Sequence, residues 1–163
     1  MLFRSALAWT VIGYFGAFDL GLGVATTKFV AEFRERSKES ALAALVVTSA
    51  CLHLALGLVG ALLMGLVGDW FALHVLNVSA VLQEETRHSF FILSLSIPVI
   101  VVTACFRGAL EGLHRFDIVN AVKMPASIAN YVSPLIVLQF TPDLTTVVGV
   151  IAATRLVVLF CYA

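Results

Sequence analysis

Charged side chains are scarce in this sequence, and their scarcity excludes most soluble folds. Only 12% of its 163 residues are charged, 61% are hydrophobic, and the mean hydropathy is +1.03. A soluble domain is typically about 45–50% apolar and about 25% charged, so its core could not hold this many apolar residues. The lipid bilayer is therefore the expected surroundings of the chain and its first expected partner.

Several functional classes lack the residues that they need. Ten basic and ten acidic residues leave no net charge, which argues against nucleic-acid binding. The three cysteines lie in apolar runs without paired spacing, so neither a disulfide framework nor a zinc site is expected. The four histidines show no metal-ligand spacing, and no phosphate-binding glycine loop occurs. We predict a protein that is not an enzyme and needs no metal or cofactor.

Long apolar stretches dominate the chain. A helix needs about 20 residues to cross a bilayer. Five stretches meet this length: residues 5–25, 41–67, 89–112, 118–140 and 144–163. Residues 69–88 contain Trp70 among apolar residues at helical spacing, and this segment is predicted to lie in the membrane interface. The predicted fold class is an all-α integral membrane protein with about five transmembrane helices, in a single transmembrane domain at 1–163.

Basic residues alternate between the connections and predict an orientation. Residues 28–40 contain four Lys or Arg and residues 107–123 contain three, whereas residues 69–88 contain one and residues 139–143 none. Lys and Arg mark the cytoplasmic side of a membrane protein. The first and third connections are therefore predicted to lie inside, and the first span runs inward.

Small residues recur at every fourth position in three of the apolar stretches. Such spacing allows two helices to approach closely in lipid. The three sets are Gly13, Ala17 and Gly21; Gly57, Ala61 and Gly65; and Gly108 and Gly112. Each set predicts a helix-packing face.

Cations within the predicted spans are the first candidates for a binding site. Arg155 lies near the middle of the fifth span and is predicted to face the interior of the bundle. Arg107, Glu111 and Arg115 share one helix face and predict an ion-pair ladder. Alternatively, Arg107 faces a cavity, where its planar fork suits an anionic headgroup. Lys123 either extends to the inner interface or projects into the same cavity.

Asp19 is a carboxylate within an apolar stretch, where a charge costs a few kcal/mol at membrane depth. Three roles are open: a structural ion pair with an arginine, a proton-coupling group, or a cation-binding group. Its position near the inner end of the first span, about two turns from Lys28, weakens the proton-coupling role. We keep Asp19 and Glu111 as candidates for ion coupling or for a structural ion pair.

Two motifs rich in glycine and charge stand out against the apolar background. They are FDLGLG at residues 18–23 with TKFVAE at 27–32, and RGALEG at 107–112 with RFD at 115–117 and Asn120. Together they resemble bacterial polysaccharide flippases of the Wzx type, which are members of the multidrug/oligosaccharidyl-lipid/polysaccharide flippase superfamily. The resemblance covers nearly the whole chain, as the second to sixth spans of that family.

The resemblance implies a fold and a function. The fold is a two-lobed helical bundle, of which this chain is a fragment of the N-terminal lobe, so the remainder of the transporter is an expected partner. The function is the movement of undecaprenyl-pyrophosphate-linked glycans across the bacterial inner membrane by alternating access, in polysaccharide biosynthesis and export. The lipid-linked oligosaccharide is thus the implied substrate, and Arg155, Arg107 and Lys123 are the predicted substrate-binding residues.

Two alternative functions remain open. A cation-coupled multidrug exporter of the same superfamily is one, although basic residues within the spans argue mildly against it. A non-transporting membrane remnant or scaffold subunit is the other, and the apolar run that ends at Ala163 is consistent with it.

Overall fold

The structure is a computed structural model that describes residues 21–36, 39–74, 83–140 and 144–163. These residues form five α-helices and no β-strand, so the predicted all-α fold is confirmed for the described part of the chain. In chain order the helices are α1, Leu22–Glu35; α2, Glu39–His74; α3, Gln83–Gly112; α4, Phe116–Phe140; and α5, Leu144–Tyr162.

Helices α2 to α5 are each long and apolar enough to cross a membrane. Their qualifying segments are Ala41–Val67, Glu84–Gly112, Phe116–Gln139 and Thr145–Tyr162. These bounds overlap the last four apolar stretches of the sequence. A multi-pass membrane protein therefore follows from helix length as well as from composition. The stretch 5–25 falls almost entirely outside the described residues.

Helix α1 extends further than the sequence pattern indicates. Residues 28–40 read as a charged connection, but α1 continues through them to Glu35. Glu32 and Arg36 explain part of this extension, because Oε1 and Nη2 lie 2.7 Å apart one turn along the helix surface. The helix begins after Gly21, whose φ of 77° is a left-handed conformation that glycine adopts without strain.

The predicted interfacial segment, residues 69–88, is helical at both of its ends. Helix α2 continues to His74, and α3 begins at Gln83. Glu84 and Glu85 occupy the first turn of α3, where carboxylates interact favourably with the helix dipole. Residues 75–82 lie outside the described residues, so a position in the membrane interface stays a prediction.

Helix α3 is at the centre of the bundle. It packs against α1, α2 and α5, whereas α4 packs mainly against α5. Ile97, Val101 and Cys105 recur every four residues along α3, and all three are almost fully buried. Lipid is as apolar as these side chains, so van der Waals packing, and not exclusion from water, holds such helices together.

Glycines provide the closest contacts of α3. A Cβ atom placed on Gly57 of α2 would lie 2.6 Å from Cα of Pro98, and one on Gly112 would lie 2.7 Å from the carbonyl oxygen of Thr27. Helix packing at Gly57, Gly108 and Gly112 is thus confirmed. Gly21 and Gly65 have no such neighbour within 4 Å among the described residues, so helix packing at these two positions stays a prediction.

Hydroxyl groups buried in α3 are satisfied within the helix. Ser89, Ser94 and Ser96 are buried, and each donates to a backbone carbonyl three or four residues earlier. Thr103 donates in the same way to the carbonyl of Val99 at 2.5 Å. Such bonds remove the cost of placing a hydroxyl in lipid. These residues therefore need no partner outside α3.

Candidate functional site

The three cations predicted to bind substrate line one cavity. This cavity of about 260 Å³ lies between α3, α4 and α5. Arg107 comes from α3, Lys123 from α4 and Arg155 from α5. The structure therefore brings together residues that are as much as 48 positions apart in the sequence.

Helical periodicity explains why polar residues of each helix reach the same cavity. Positions separated by three, four or seven residues lie on one face of a helix. The cavity-lining polar residues follow this spacing: Thr103 and Arg107 on α3; Lys123, Ser127 and Asn130 on α4; and Arg155 and Tyr162 on α5. Aliphatic side chains complete the lining.

A hydrogen bond joins the start of α4 to the end of α5 at one end of the cavity. The hydroxyl of Tyr162, which is buried, donates to the backbone carbonyl of Val119 at 3.1 Å. The two helices run antiparallel, so Arg155, seven residues before Tyr162, lies about 10 Å deeper. Arg155 is partly buried, as predicted for a cation in the bundle interior.

Arg107 takes part in both of the arrangements that the sequence left open. Its Nε lies 3.5 Å from Oε1 of Glu111, one turn along α3, and its side chain also lines the cavity. The distance is long for a hydrogen bond, so the pair is mainly an electrostatic one. Glu111 therefore has a structural ion-pair partner. Arg107 also lines the cavity, so a ligand in the cavity can reach it.

The predicted ladder does not extend to Arg115. Helix α3 ends at Gly112, and the N–H groups of His114 and Arg115 bond the carbonyls of Glu111 and Leu110. His114 has a φ of 57°, so these bonds form a Schellman motif with His114 in its left-handed position. The chain turns there, and Arg115 pairs with Asp117 at 3.3 Å instead.

Lys123 lines the cavity and is also exposed. It lies one turn after Val119, near the end of α4 that is predicted to be cytoplasmic. Extension to the interface and projection into the cavity are therefore compatible for this side chain.

Asp19 lies outside the described residues, so its role stays a prediction. The end of its motif is described, and Gly23 lies against α3. A Cβ atom placed on Gly108 would be 2.5 Å from the carbonyl oxygen of Gly23. The two glycine motifs of the sequence therefore meet in the fold, at a packing contact and not in the cavity.

The lining of the cavity suits an anion better than a metal ion. It contains three cations and no carboxylate among the described residues. Within residues 21–36, 39–74, 83–140 and 144–163, no group of three or more His, Cys, Asp or Glu has the geometry to hold a metal. Guanidinium groups bind phosphate through two parallel hydrogen bonds, and an ammonium group adds a point charge.

A second cavity of about 350 Å³ lies between α2, α3 and α5 and is lined by apolar residues. Cys51, Pro98 and Leu159 are among its lining residues. No charged group is found in its described lining, so it cannot neutralise an anion. It is therefore not the candidate site.

Sequence reasoning missed the uncharged polar residues of the site. Ser127 and Asn130 follow Lys123 by four and seven positions, and Tyr162 follows Arg155 by seven. This spacing was a usable signal, since it places each residue on the face of a predicted cation. Charge alone does not identify them.

Comparisons with known proteins agree with the fold of a multi-pass membrane protein. The sequence profile of the MatE family matches residues 5–136. A protein of Shigella flexneri described as "Putative O-antigen transporter" is 25% identical over 151 residues, which cover 93% of this chain and 35% of that protein. The chain thus spans about a third of the length of this curated relative. No solved structure matches the chain significantly.

Proposed function

The chain belongs to the MatE family, and from that premise we propose that it forms part of a lipid-linked oligosaccharide flippase. The members of this family are transporters, which agrees with the prediction that the chain is not an enzyme. The proposed substrate is an undecaprenyl-pyrophosphate-linked glycan, and the proposed location is the bacterial inner membrane. The observation that carries the proposal is the single cavity lined by Arg107, Lys123 and Arg155.

Electrostatics support a pyrophosphate as the ligand. Uncompensated cations within a membrane bundle are costly, and an anion between them lowers that cost. Attraction between opposite charges grows as the surroundings become less polar, so a partly buried arginine binds phosphate more strongly than an exposed one. Arg155 is the cation that gains most, because helix geometry places it about 10 Å further into the bundle than Tyr162.

Alternating access supplies the transport step. In transporters built from two related lobes, the binding site lies near the middle of the membrane and the lobes rock about it. We propose that α3, α4 and α5 form one wall of that site and that the remainder of the transporter forms the facing wall. Glu111 lies 3.5 Å from Arg107 on this wall and offsets part of its charge.

The chemistry of the cavity also weighs against the alternatives. A multidrug exporter for cationic compounds needs acidic or aromatic groups that attract a cation. The described lining has one aromatic residue, Tyr162, and no acid. Three cations at one site are costly in a membrane bundle that binds no anion, so a non-transporting scaffold is the less favoured function.

Binding of a defined anion tests the proposal. The chain is purified into phosphatidylcholine nanodiscs and titrated with farnesyl methyl pyrophosphate, a diester without sugar. Arg155→Gln is expected to weaken binding roughly tenfold, which corresponds to about 1.4 kcal/mol. Arg36→Gln is the control, because Arg36 is exposed, pairs with Glu32 and does not line the cavity.

The outcomes separate the candidate functions. Loss of affinity in Arg155→Gln, with Arg36→Gln within about twofold of the native chain, supports an anion site in the cavity. Tight binding of the cationic dye ethidium, without binding of the pyrophosphate, would favour the multidrug exporter instead.

A further inference from the structure

The cavity continues beyond its cations into a polar but uncharged region on α4. Lys123, Ser127 and Asn130 all line it, at intervals of four and three residues. This spacing places the three side chains in a row along one face of α4. A ligand bound to Lys123 would therefore meet a hydroxyl and then an amide as it extends along the helix.

Helix geometry gives the order of these groups across the membrane. The bond from Tyr162 to the carbonyl of Val119 aligns the inner ends of the antiparallel helices α5 and α4. Asn130 is seven residues beyond Lys123, about 10 Å further along the axis. By the same alignment, Arg155 lies at the depth of Ser127, so Asn130 is one turn past the deepest cation.

Asn130 has hydrogen-bonding capacity that the described residues do not use. Its Oδ1 is buried and has no hydrogen-bond partner within them. A buried polar atom without a partner is unusual in a folded protein and needs a physical explanation. Rotation of the amide about χ2 presents either a donor or an acceptor to the cavity.

Hydroxyl groups are the natural partners of such a region. A sugar hydroxyl donates one hydrogen bond and accepts others. The hydroxyl of Ser127 and the amide of Asn130 together offer it both acceptors and donors. A second phosphate would instead need positive charge, which the lining beyond Arg155 does not supply. A hydrocarbon chain would leave the amide unsatisfied.

We propose that Ser127 and Asn130 bind the first sugar of the ligand while Arg107, Lys123 and Arg155 hold its pyrophosphate. This inference rests on the proposed function and deepens it, because it assigns recognition of the glycan to two residues on α4. Asn130 determines the preference for the sugar. Ser127 lies between Lys123 and Asn130, where the pyrophosphate and the sugar meet.

Two probes of equal charge test the assignment on the chain in nanodiscs. One is farnesyl methyl pyrophosphate, and the other is farnesyl pyrophosphate esterified with N-acetylglucosamine. The native chain is expected to bind the sugar-bearing probe at least about fivefold more tightly. Asn130→Leu is expected to remove most of this preference and to leave affinity for the methyl diester within about twofold.

Ser133→Ala is the matched control. Ser133 lies three residues beyond Asn130 on α4, and its Oγ is also buried without a partner among the described residues, but it does not line the cavity. Its substitution is expected to change neither affinity. Far-ultraviolet circular dichroism checks that each variant keeps its helices.

Each result decides between the two proposals. Equal binding of the two probes by the native chain, or equal weakening of both by Asn130→Leu, overturns the sugar assignment alone. Binding of neither probe by the native chain overturns the proposed function, and the sugar assignment with it. Loss of the preference in Ser133→Ala also overturns the assignment to Asn130.

Discussion

Gly108 of α3 lies directly against the backbone of Gly23 in α1. A Cβ atom at position 108 would be 2.5 Å from the carbonyl oxygen of Gly23, which is too close for any side chain. The contact joins the two motifs on which the family resemblance rests. Gly23 and Gly108 are therefore explained by helix packing.

Gly108→Ala is expected to destabilise the bundle by about 1–3 kcal/mol, because the backbone of α1 must move away. Unfolding in mixed micelles of increasing dodecyl sulfate content measures the change. Gly149→Ala is the control, since Gly149 lies within α5 with no such neighbour within 4 Å among the described residues. That variant should be unchanged or more stable by about 0.5–1 kcal/mol, because alanine favours a helix. Equal stability of the two variants would contradict the contact.

Gly57 and Gly65 allow the same comparison within one helix. Both lie in α2, but only a Cβ on Gly57 would meet Pro98, at 2.6 Å from its Cα. Gly57→Ala should therefore weaken the contact between α2 and α3 by about 1–3 kcal/mol, whereas Gly65→Ala should not. Hydrogen exchange of amides around Pro98 reports this contact, and faster exchange is expected in Gly57→Ala alone. Faster exchange in both variants would argue for a general effect of alanine in α2.

His114→Gly is expected to stabilise the protein. His114 has a φ of 57°, a conformation that costs an ordinary L-residue about 1–2 kcal/mol and glycine almost nothing. The Schellman bonds that end α3 should form more readily, with a gain of about 1 kcal/mol. His88→Gly is the reference, because His88 is an exposed residue within α3 and glycine there should cost about 0.3–0.5 kcal/mol relative to histidine. The two changes in unfolding free energy should have opposite signs.

Tyr162→Phe removes the hydroxyl that joins α5 to α4. The lost bond to the carbonyl of Val119 should cost about 0.5–1.5 kcal/mol of stability. Amide exchange should accelerate at the start of α4 and at the end of α5, but not in α2. If exchange is unchanged at these two ends, the bond does not align the helices, and the depths assigned to Arg155 and Asn130 need revision.

Sequence patterns predicted the spans and the cations for clear physical reasons. Apolar length decides whether a helix crosses a membrane, so residues 41–67 are recovered with the same bounds in α2. Arg155 is the third member of the cation cavity, and its depth alone indicated an inward position. Each of these two features can be predicted from a single segment of the sequence.

Features that depend on a turn or on a neighbouring helix could not be read from the sequence in this way. The end of α3 at Gly112 depends on the left-handed His114, which no periodicity reveals, and it separates Arg115 from Glu111. Gly65 has the same spacing as Gly57 but faces no helix among the described residues. Whether a small residue supports helix packing depends on whether another helix lies opposite it.

In the proposed flippase, the charges around the cavity have a consequence for the electrical energy of transport. Arg107, Lys123 and Arg155 are positive, and Glu111 offsets one of them, so the empty site keeps a positive excess. Each elementary charge carried across the membrane costs or gains about 2.3 kcal/mol per 100 mV. A bound pyrophosphate diester brings negative charge of similar size, so the loaded site is close to neutral. Membrane voltage would then act mainly on the empty carrier as it returns.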